Sequence, residues 1–225
     1  MDKIRLIEVK RNILANNDKQ ADTLRQHLHD QKTFLLNLMS SPGSGKTSLI
    51  LRTIECLQKD LKIGVLEADI DSVVDAERIA ATGTPAVQLH TGGMCHLDAT
   101  MTARGLEALD LATLDLIVLE NIGNLVCPAE FDTGAVCNAM ILSVPEGDDK
   151  PLKYPLMFST CKALVVNKID YLEHSDFDLA VLRERVYRLN ADIKIFEVSA
   201  KTGEGINAWA EWLRQEINTW LSSGF

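Results

Sequence analysis

The residues with the clearest chemical potential lie at Ser40–Thr47 (SSPGSGKT), between an apolar run and a helical run. Gly43 and Gly45 let consecutive backbone N–H groups turn inward, and the positive end of the following helix adds to the same anion cradle. Lys46 would reach the β- and γ-phosphates, and the Thr47 hydroxyl would ligate Mg²⁺. Serine replaces the usual first glycine, and an ordinary strand-to-helix turn is the alternative. The flanks favour a nucleotide site whose predicted contacts are Gly43, Ser44, Gly45, Lys46, Thr47 and Ser48.

A second motif, Asn167–Asp170 (NKID), follows another apolar run, where ligands of open α/β sheets bind. The Asp170 carboxylate only accepts hydrogen bonds, and guanine offers N1–H and a 2-amino group side by side. Adenine would leave that carboxylate unpaired, a loss that discriminates by orders of magnitude. The later run Ser199–Lys201 (SAK) would present a backbone N–H to the guanine O6. The motifs together predict guanine binding by Asn167, Lys168, Asp170, Ser199, Ala200 and Lys201.

Carboxylates between these motifs are candidates for the Mg²⁺ side of the site. Glu120 ends a strongly apolar run, and Gly123 after it would sense the γ-phosphate through its backbone N–H. Asp75 is the candidate for a mobile residue beside the metal, within a cluster that includes Asp69 and Asp71. Helix capping or solvated charge is an equally open interpretation of that cluster. No water-orienting glutamine is evident, so we expect slow hydrolysis unless a partner completes the site. The predicted catalytic residues are Lys46, Thr47, Asp75 and Glu120.

A thiol and an imidazole stand side by side at Cys95 and His96, beyond two glycines, and Cys127 follows Gly123 by four positions. Thiolate and imidazole suit Zn²⁺ or Ni²⁺, and ligand softness does not separate the two metals. Three ligands leave a structural zinc site incomplete, whereas two chains about a twofold axis would supply six. On composition alone, a buried thiol beside a helix-capping histidine is the competing interpretation.

These motifs require a frame of strands and helices. Uniformly apolar strands separated by helical stretches predict an α/β fold of the P-loop NTPase type, a mostly parallel sheet with helices on both faces. Predicted helices begin near positions 46, 71 and 96, and a final amphipathic helix starts near 206. The predicted strands are Thr33–Met39, Lys62–Asp69, Ala86–His90, Leu114–Glu120, Ala139–Val144, Ala163–Val166 and Ile193–Val198.

The predicted organisation is one large domain with an appendage. Residues 1–32 are expected to form an N-terminal helical extension docked on a GTPase domain at 33–225. The charged, proline-containing loop Glu146–Lys153 is expected to be disordered. The 32 acidic residues outnumber the 23 basic ones, giving a formal charge of −9 that argues against nucleic acid and anionic membrane as partners. Five scattered cysteines and the lack of a leader or a long apolar run favour a cytoplasmic protein without a disulfide framework.

Taken together, the motifs closely resemble the HypB family, the GTPases that insert nickel during NiFe-hydrogenase maturation. The resemblance runs from Asn37 to the C-terminal helix. It is carried by Ser40–Thr47, Asp75–Arg78 (DAER), Gly93–Asp98 (GMCHLD), Glu120–Pro128 (ENIGNLVCP), Asn167–Asp170 and Ser199–Lys201.

The resemblance implies a GTPase that dimerises with GTP and binds nickel or zinc through Cys95, His96 and Cys127 at the subunit interface. It also implies that Thr47, Asp75 and Glu120 surround Mg²⁺. The implied partners are the accessory protein HypA and a hydrogenase large subunit. In such a dimer Lys150 or Lys153 would reach the other subunit's nucleotide, with a solvated loop as the equal alternative.

Two departures from the family pattern matter. Many members begin with a Cys-rich nickel motif or a His-rich tract, but the first cysteine here is Cys56, so we expect no high-affinity N-terminal nickel site. The related urease GTPases carry Cys-Pro-His, whereas Cys127-Pro128 is followed here by Ala129, which disfavours a urease role. Service to another nickel enzyme such as urease, and a metal-binding scaffold with a structural nucleotide, stay open as alternatives.

Overall fold

Residues 9–69 and 74–222 are described by a computed structural model, which is built around a seven-stranded parallel sheet. The strand order is β3-β2-β4-β1-β5-β6-β7, and all paired neighbours run parallel. The strands are Phe34–Ser40 (β1), Ile63–Asp69 (β2), Ala86–His90 (β3), Leu116–Gly123 (β4), Cys137–Ser143 (β5), Ala163–Asn167 (β6) and Lys194–Glu197 (β7). Each of the seven predicted strands is present, with ends shifted by a few residues.

Helices cover both faces of this sheet, as predicted. In the described ranges they are Val9–Asp30 (α1), Lys46–Leu57 (α2), Val74–Ala80 (α3), Ala99–Leu106 (α4), Cys127–Glu130 (α5), Lys150–Lys153 (α6), Pro155–Thr160 (α7), Leu179–Leu189 (α8) and Ile206–Ser222 (α9). Side chains alternate along β1, so Leu36 and Leu38 pack with α2 and α9 while Leu35 packs with α1 and α4. Both faces are buried, which explains the continuously apolar strands. None of the described helices is long and apolar enough to cross a membrane.

Helix α1 packs against the sheet and α4 through Leu24 and Leu28, both buried. Its polar stretch at 16–19 shows little helical periodicity in the sequence, yet the helix runs through it. Asn17 is buried there and bonded to two other segments. The division into an extension at 1–32 and a domain at 33–225 stays a prediction.

Two local predictions are wrong. The helix expected from residue 96 begins only at Ala99, because the Asp98 carboxylate caps it by accepting from the Met101 N–H at 2.8 Å. The loop at 146–153, expected to be disordered, is ordered by a capping box at Ser143 and by helix α6. Within it, the Asp148 carbonyl accepts a hydrogen bond from Arg185 at 2.9 Å.

Candidate nucleotide and metal site

The motif residues collect along one edge of the sheet, where the carboxyl ends of the parallel strands meet. Strand β1 ends at Ser40 and leads into the phosphate loop, and β6 ends at Asn167. Strand β4 runs on to Gly123, so this residue belongs to the strand and not to a following turn. The topology therefore brings the predicted phosphate, base and metal residues to one side of the molecule.

The phosphate loop has the backbone conformation that its glycines permit. Gly43 and Gly45 are left-handed, with φ of 75° and 99°, and Gly45 stands at the N-terminal end of α2. A Cβ atom at Gly45 would lie 2.5 Å from the Asn167 amide nitrogen, so the motifs touch here. The Lys46 ammonium lies back across the loop, 3.1 Å from the Ser40 hydroxyl. Ser40, which stands where the motif usually has its first glycine, thus supplies a hydrogen-bond partner for Lys46.

Asn167 ties three segments of the nucleotide region together. Its side-chain nitrogen donates to the Ser44 carbonyl at 2.9 Å, and its oxygen accepts the backbone N–H groups of Lys168 and Ala200 at 2.8 and 3.0 Å. Asn167 is buried. Both ends of the amide therefore make hydrogen bonds inside the protein, and these bonds join the base region to the phosphate loop.

The base region borders a cavity of about 640 Å³. Asp170 lines this cavity. One of its carboxylate oxygens accepts a hydrogen bond from the Ser199 hydroxyl at 2.7 Å, and the other lies 3.9 Å from the Lys201 ammonium. The Lys168 ammonium donates to the Gly43 carbonyl at 2.7 Å, which lays its stem along the cavity. The cavity is lined by Gly45, Ser48, Pro145, Asn167, Lys168, Asp170, Tyr171, Ala200 and Lys201. Pro145 and Tyr171 escaped the sequence analysis, although Tyr171 directly follows the Asn-Lys-x-Asp motif.

The Mg²⁺-side residues are brought together only in part. The Thr47 hydroxyl lies 3.1 Å from a Glu120 carboxylate oxygen, and both residues are buried. A hydroxyl and a carboxylate in contact match the hard oxygen ligands that Mg²⁺ prefers. Asp75 instead forms an ion pair with Arg78 on its own helix at 3.1 Å, and in the part of the chain that the structure describes it has no bond to that pair. Asp71 lies outside the described residues.

Glu67 is a buried carboxylate that the sequence analysis missed. It lies on β2 in register with Glu120 on β4, so both side chains point to the same sheet face. The signal was available, since Glu67 is the one charged residue inside the apolar run of β2 before its terminal aspartate.

The end of β4 touches the phosphate loop and continues into the cysteine cluster. A Cβ atom at Gly123 would lie 3.0 Å from the Pro42 backbone nitrogen, so the strand end rests directly on the loop. Asn124 then turns the chain by accepting the Val126 N–H at 2.9 Å, and it donates to the Cys95 carbonyl at 3.2 Å. Cys127 follows at the start of α5.

Cys95, His96 and Cys127 form the cluster predicted from their spacing and types, with ligand atoms within 4.8 Å of one another. The two sulfur atoms are 3.0 Å apart, and the Cys95 sulfur is 3.9 Å from His96 Nδ1. Cys95 is exposed and the other two are half-buried, which is inconsistent with the competing idea of a buried thiol beside a capping histidine. Asp98, and not His96, caps the following helix.

The electrostatics differ between two of the ligand groups. The hydrogen bond with Cys95 raises the pKa of Cys127, and burial raises it further, so a metal ion would have to displace the proton of this thiol. Burial lowers the pKa of His96, although the negative charges of Asp98 and Glu130 oppose this shift. The lowered pKa favours the neutral imidazole, which is the form that ligates metals. Among the described residues the cluster offers three ligand groups, one fewer than a closed tetrahedral site needs.

Fold and phosphate loop together define a P-loop nucleotide-binding protein. The signal recognition particle 54 kDa protein of Aeropyrum pernix superposes with a TM-score of 0.55 at 13% identity over 84% of this chain and 50% of that one, a likeness of fold alone. Residues 34–197 match the CobW/HypB/UreG nucleotide-binding domain. The chain belongs to this family, and its similarity lies with the HypB members.

Relatives support that assignment along nearly the whole chain. The hydrogenase maturation factor HypB of Azotobacter vinelandii is 46% identical over 96% of this chain and 72% of its own length. The Escherichia coli K12 factor is 43% identical, over 96% and 74%. The crystal structure of Helicobacter pylori HypB in complex with nickel superposes with a TM-score of 0.87 at 35% identity, covering 93% of this chain and all of that one.

Proposed function

We propose that the protein is a GTP-hydrolysing metallochaperone that binds nickel or zinc and assists nickel insertion into NiFe-hydrogenase. The observation that carries this proposal is the continuity of one short segment. Gly123 rests on the phosphate loop at Pro42, and the same segment holds the Cys95 carbonyl through Asn124 and ends in Cys127. A shift of Gly123 driven by a γ-phosphate would move a metal ligand, so nucleotide state and metal affinity would be linked.

The hydrolytic part of the proposal uses Lys46, Thr47 and Glu120. Lys46 would leave Ser40 for the nucleotide phosphates, and Thr47 with Glu120 would hold Mg²⁺, which neutralises charge that develops on the phosphate oxygens. Asp75 joins them in the proposal as a switch residue that must first give up its ion pair with Arg78. The predicted slow hydrolysis of an isolated chain belongs to the same proposal.

Guanine is the proposed base because the Asp170 carboxylate lines the cavity and is oriented by a hydrogen bond. The carboxylate accepts this bond from the Ser199 hydroxyl. Two adjacent N–H donors on guanine would satisfy it, and adenine offers no such pair.

The metal part of the proposal calls for a GTP-dependent homodimer. Three ligands from one chain become six when two clusters meet, and two exposed apolar side chains, Met94 and Val126, directly precede Cys95 and Cys127. Nickel would be the cargo, with zinc as the competing occupant because the donor set accepts both. Lys150 and Lys153 are the proposed charges acting across the dimer; here Lys153 pairs with Asp149 and Lys150 lies over the Tyr154 ring.

The proposal extends to partners and targets, and the names of the relatives as hydrogenase maturation factors support a hydrogenase target. The proposed partners are a HypA-type accessory protein and a hydrogenase large subunit, in the cytoplasm. The Helicobacter hepaticus relative, 41% identical over 93% of this chain, is a hydrogenase/urease maturation factor, so urease is the second candidate target. Recovery of the two enzymes' subunits with the tagged protein from nickel-grown cells would separate these targets.

The proposed function is tested by adding GDP or a non-hydrolysable GTP analogue to the nickel-loaded protein and measuring mass by light scattering. We expect a monomer with GDP, a dimer with the analogue, and a change in nickel bound per chain that Cys95→Ala abolishes. GTP turnover, followed by phosphate release, must accompany this behaviour. The same mass and nickel content with both nucleotides would contradict the coupling to metal, and a further absence of GTP turnover would indicate a scaffold with a structural nucleotide.

A further inference from the structure

Helix α1 contacts both segments that carry the cysteine–histidine cluster. The link is Asn17, whose side chain is 5% exposed. Its nitrogen donates to the Asp132 carbonyl at 2.8 Å, and its oxygen accepts the Ala99 N–H at 2.9 Å. Asp132 follows Cys127 by five positions, and Ala99 follows His96 by three. One amide thus joins the two segments, and both of its polar ends are used.

Further contacts hold α1 on the segment after Cys127. The two guanidinium nitrogens of Arg25 each contact one Asp132 carboxylate oxygen at 2.9 Å, a bidentate pair. The same carboxylate accepts the Gly134 N–H at 2.8 Å. Leu24 fills the space beside Gly134, where a Cβ atom would lie 2.7 Å from a Leu24 methyl carbon. The backbone at 132–134 is therefore fixed by α1 and not by the sheet.

This fixed backbone sets the environment of one ligand directly. Phe131, next to Asp132, stacks on the His96 ring with centroids 3.8 Å apart and planes 19° from parallel. On the other segment, Asp98 caps α4 immediately before Ala99, so a displacement of Ala99 would carry the cap and His96 with it. His96 is thus carried by one segment and stacked on a residue of the other, and Asn17 bonds to both segments.

We propose that Asn17 is a positioning residue for the metal cluster, acting through Ala99 and Asp132 to set the distance between the Cys95–His96 segment and the Cys127 segment. This inference rests on the proposed metal binding. Groups that orient metal ligands from the outside change metal affinity by about 10- to 100-fold when removed. Helix α1 would then couple movements of the N-terminal region to metal affinity without contacting the metal.

The test titrates Ni²⁺ alone into the full chain and follows thiolate-to-nickel charge-transfer absorption. Asn17→Ala should weaken nickel binding by about 10- to 100-fold and shift the absorption band, because the ligand geometry changes. Asn16→Ala is the matched control, since Asn16 is the exposed neighbour on the same helix, and it should behave as wild type. Asn17→Asp keeps an acceptor for the Ala99 N–H but places an oxygen against the Asp132 carbonyl. Its nickel affinity should lie between those of Asn17→Ala and Asn16→Ala. GTP affinity should be unchanged in all three variants.

These titrations distinguish a failure of the Asn17 inference from a failure of the proposed metal binding. A folded Asn17→Ala protein with wild-type nickel affinity and spectrum overturns the inference while the metal site stands. If Cys95→Ala also keeps wild-type nickel binding, the proposed metal function itself is wrong. If Asn17→Ala fails to fold, Arg25→Lys and Asn17→Asp take its place, and wild-type titrations of both would overturn the inference.

Discussion

In the nucleotide half of the site, the motif residues bond to one another. Asn167 holds the Ser44 carbonyl, Lys168 holds the Gly43 carbonyl, and Thr47 contacts Glu120. In the metal half, Cys95 is exposed. Its backbone carbonyl accepts a hydrogen bond from Asn124, and Ala99, four residues further along, donates to Asn17 of α1. The base and phosphate-loop contacts are thus made within the nucleotide motifs themselves, whereas the described part of the metal cluster offers three ligand groups that are held by neighbouring segments.

Under the proposed function, this difference would let metal binding respond to changes elsewhere in the protein while the nucleotide region keeps its own contacts. Preformed sites hold their ligands without reorganisation, and sites on adjustable segments respond to what moves those segments. Gly123 contacts the phosphate loop, and Asn17 joins α1 to the segments that carry the cluster. The metal cluster is therefore connected to both.

The largest expected effect is on the nucleotide half. Lys46→Ala removes the cation that would stabilise charge on the transferred phosphate, so steady-state GTP turnover should fall by about 10²- to 10³-fold. Nickel titration without nucleotide should be unchanged, because Lys46 contacts Ser40 and not the cluster. Turnover that survives in Lys46→Ala would place hydrolysis elsewhere or assign it to a contaminant.

A smaller effect is expected at the base cavity. Asp170→Asn keeps one acceptor oxygen and turns the other into an NH2 donor, so one of the two hydrogen bonds from guanine is lost and the other no longer has a charged partner. Because a hydrogen bond to a charged group contributes about 1.5–3 kcal/mol, GDP affinity should fall by about 10- to 100-fold. Xanthosine diphosphate, which carries a carbonyl in place of the 2-amino group, should bind the variant better than GDP does. A variant that still prefers GDP would contradict the assignment of Asp170.

Cysteine labelling sharpens the contrast between core and site. Burial raises the pKa of Cys137 to about 12 and that of Cys161 further, so both stay protonated and shielded at pH 8 and should resist alkylation in the folded protein. Cys95 is exposed and should label readily, Cys127 should label more slowly because its pKa is raised, and nickel should protect both. Cys56 is half-buried, lies in α2 and serves as the internal control. Mass spectrometry of the labelled peptides checks this, and nickel protection of Cys56 instead would place the metal elsewhere.

Much of this arrangement is predictable from the sequence because strand runs and glycine motifs encode local geometry. The order of the motifs predicted that the phosphate loop and the base motif follow strand ends, as they do at β1 and β6. The residue types predicted the cluster of Cys95, His96 and Cys127. The internal hydrogen bonds of Asn167 were not predictable, since a motif does not show which atoms are bonded inside the protein; its contact with guanine stays a prediction.

Other features depend on contacts between distant segments, which local sequence does not encode. Asn17 appeared as an interruption in a helix, and its burial follows only from the arrival of residues 99 and 132. The loop at 146–153 has a disordered composition, but Ser143 and Arg185 supply partners for its polar groups. The placement of Asp75 stays a prediction that concerns the nucleotide-bound state.

The central claim is that the segment from Gly123 to Cys127 transmits nucleotide state to the metal ligands. It is tested most directly by nickel titrations with GDP and with a non-hydrolysable GTP analogue, in wild type and in Gly123→Ala. The added methyl group would meet Pro42 at about 3.0 Å and separate the strand end from the phosphate loop. We predict that the two nucleotides give wild-type nickel affinities differing by about 5- to 150-fold. In Gly123→Ala the ratio should approach one while both nucleotides still bind. Identical wild-type titrations with the two nucleotides would contradict the claim.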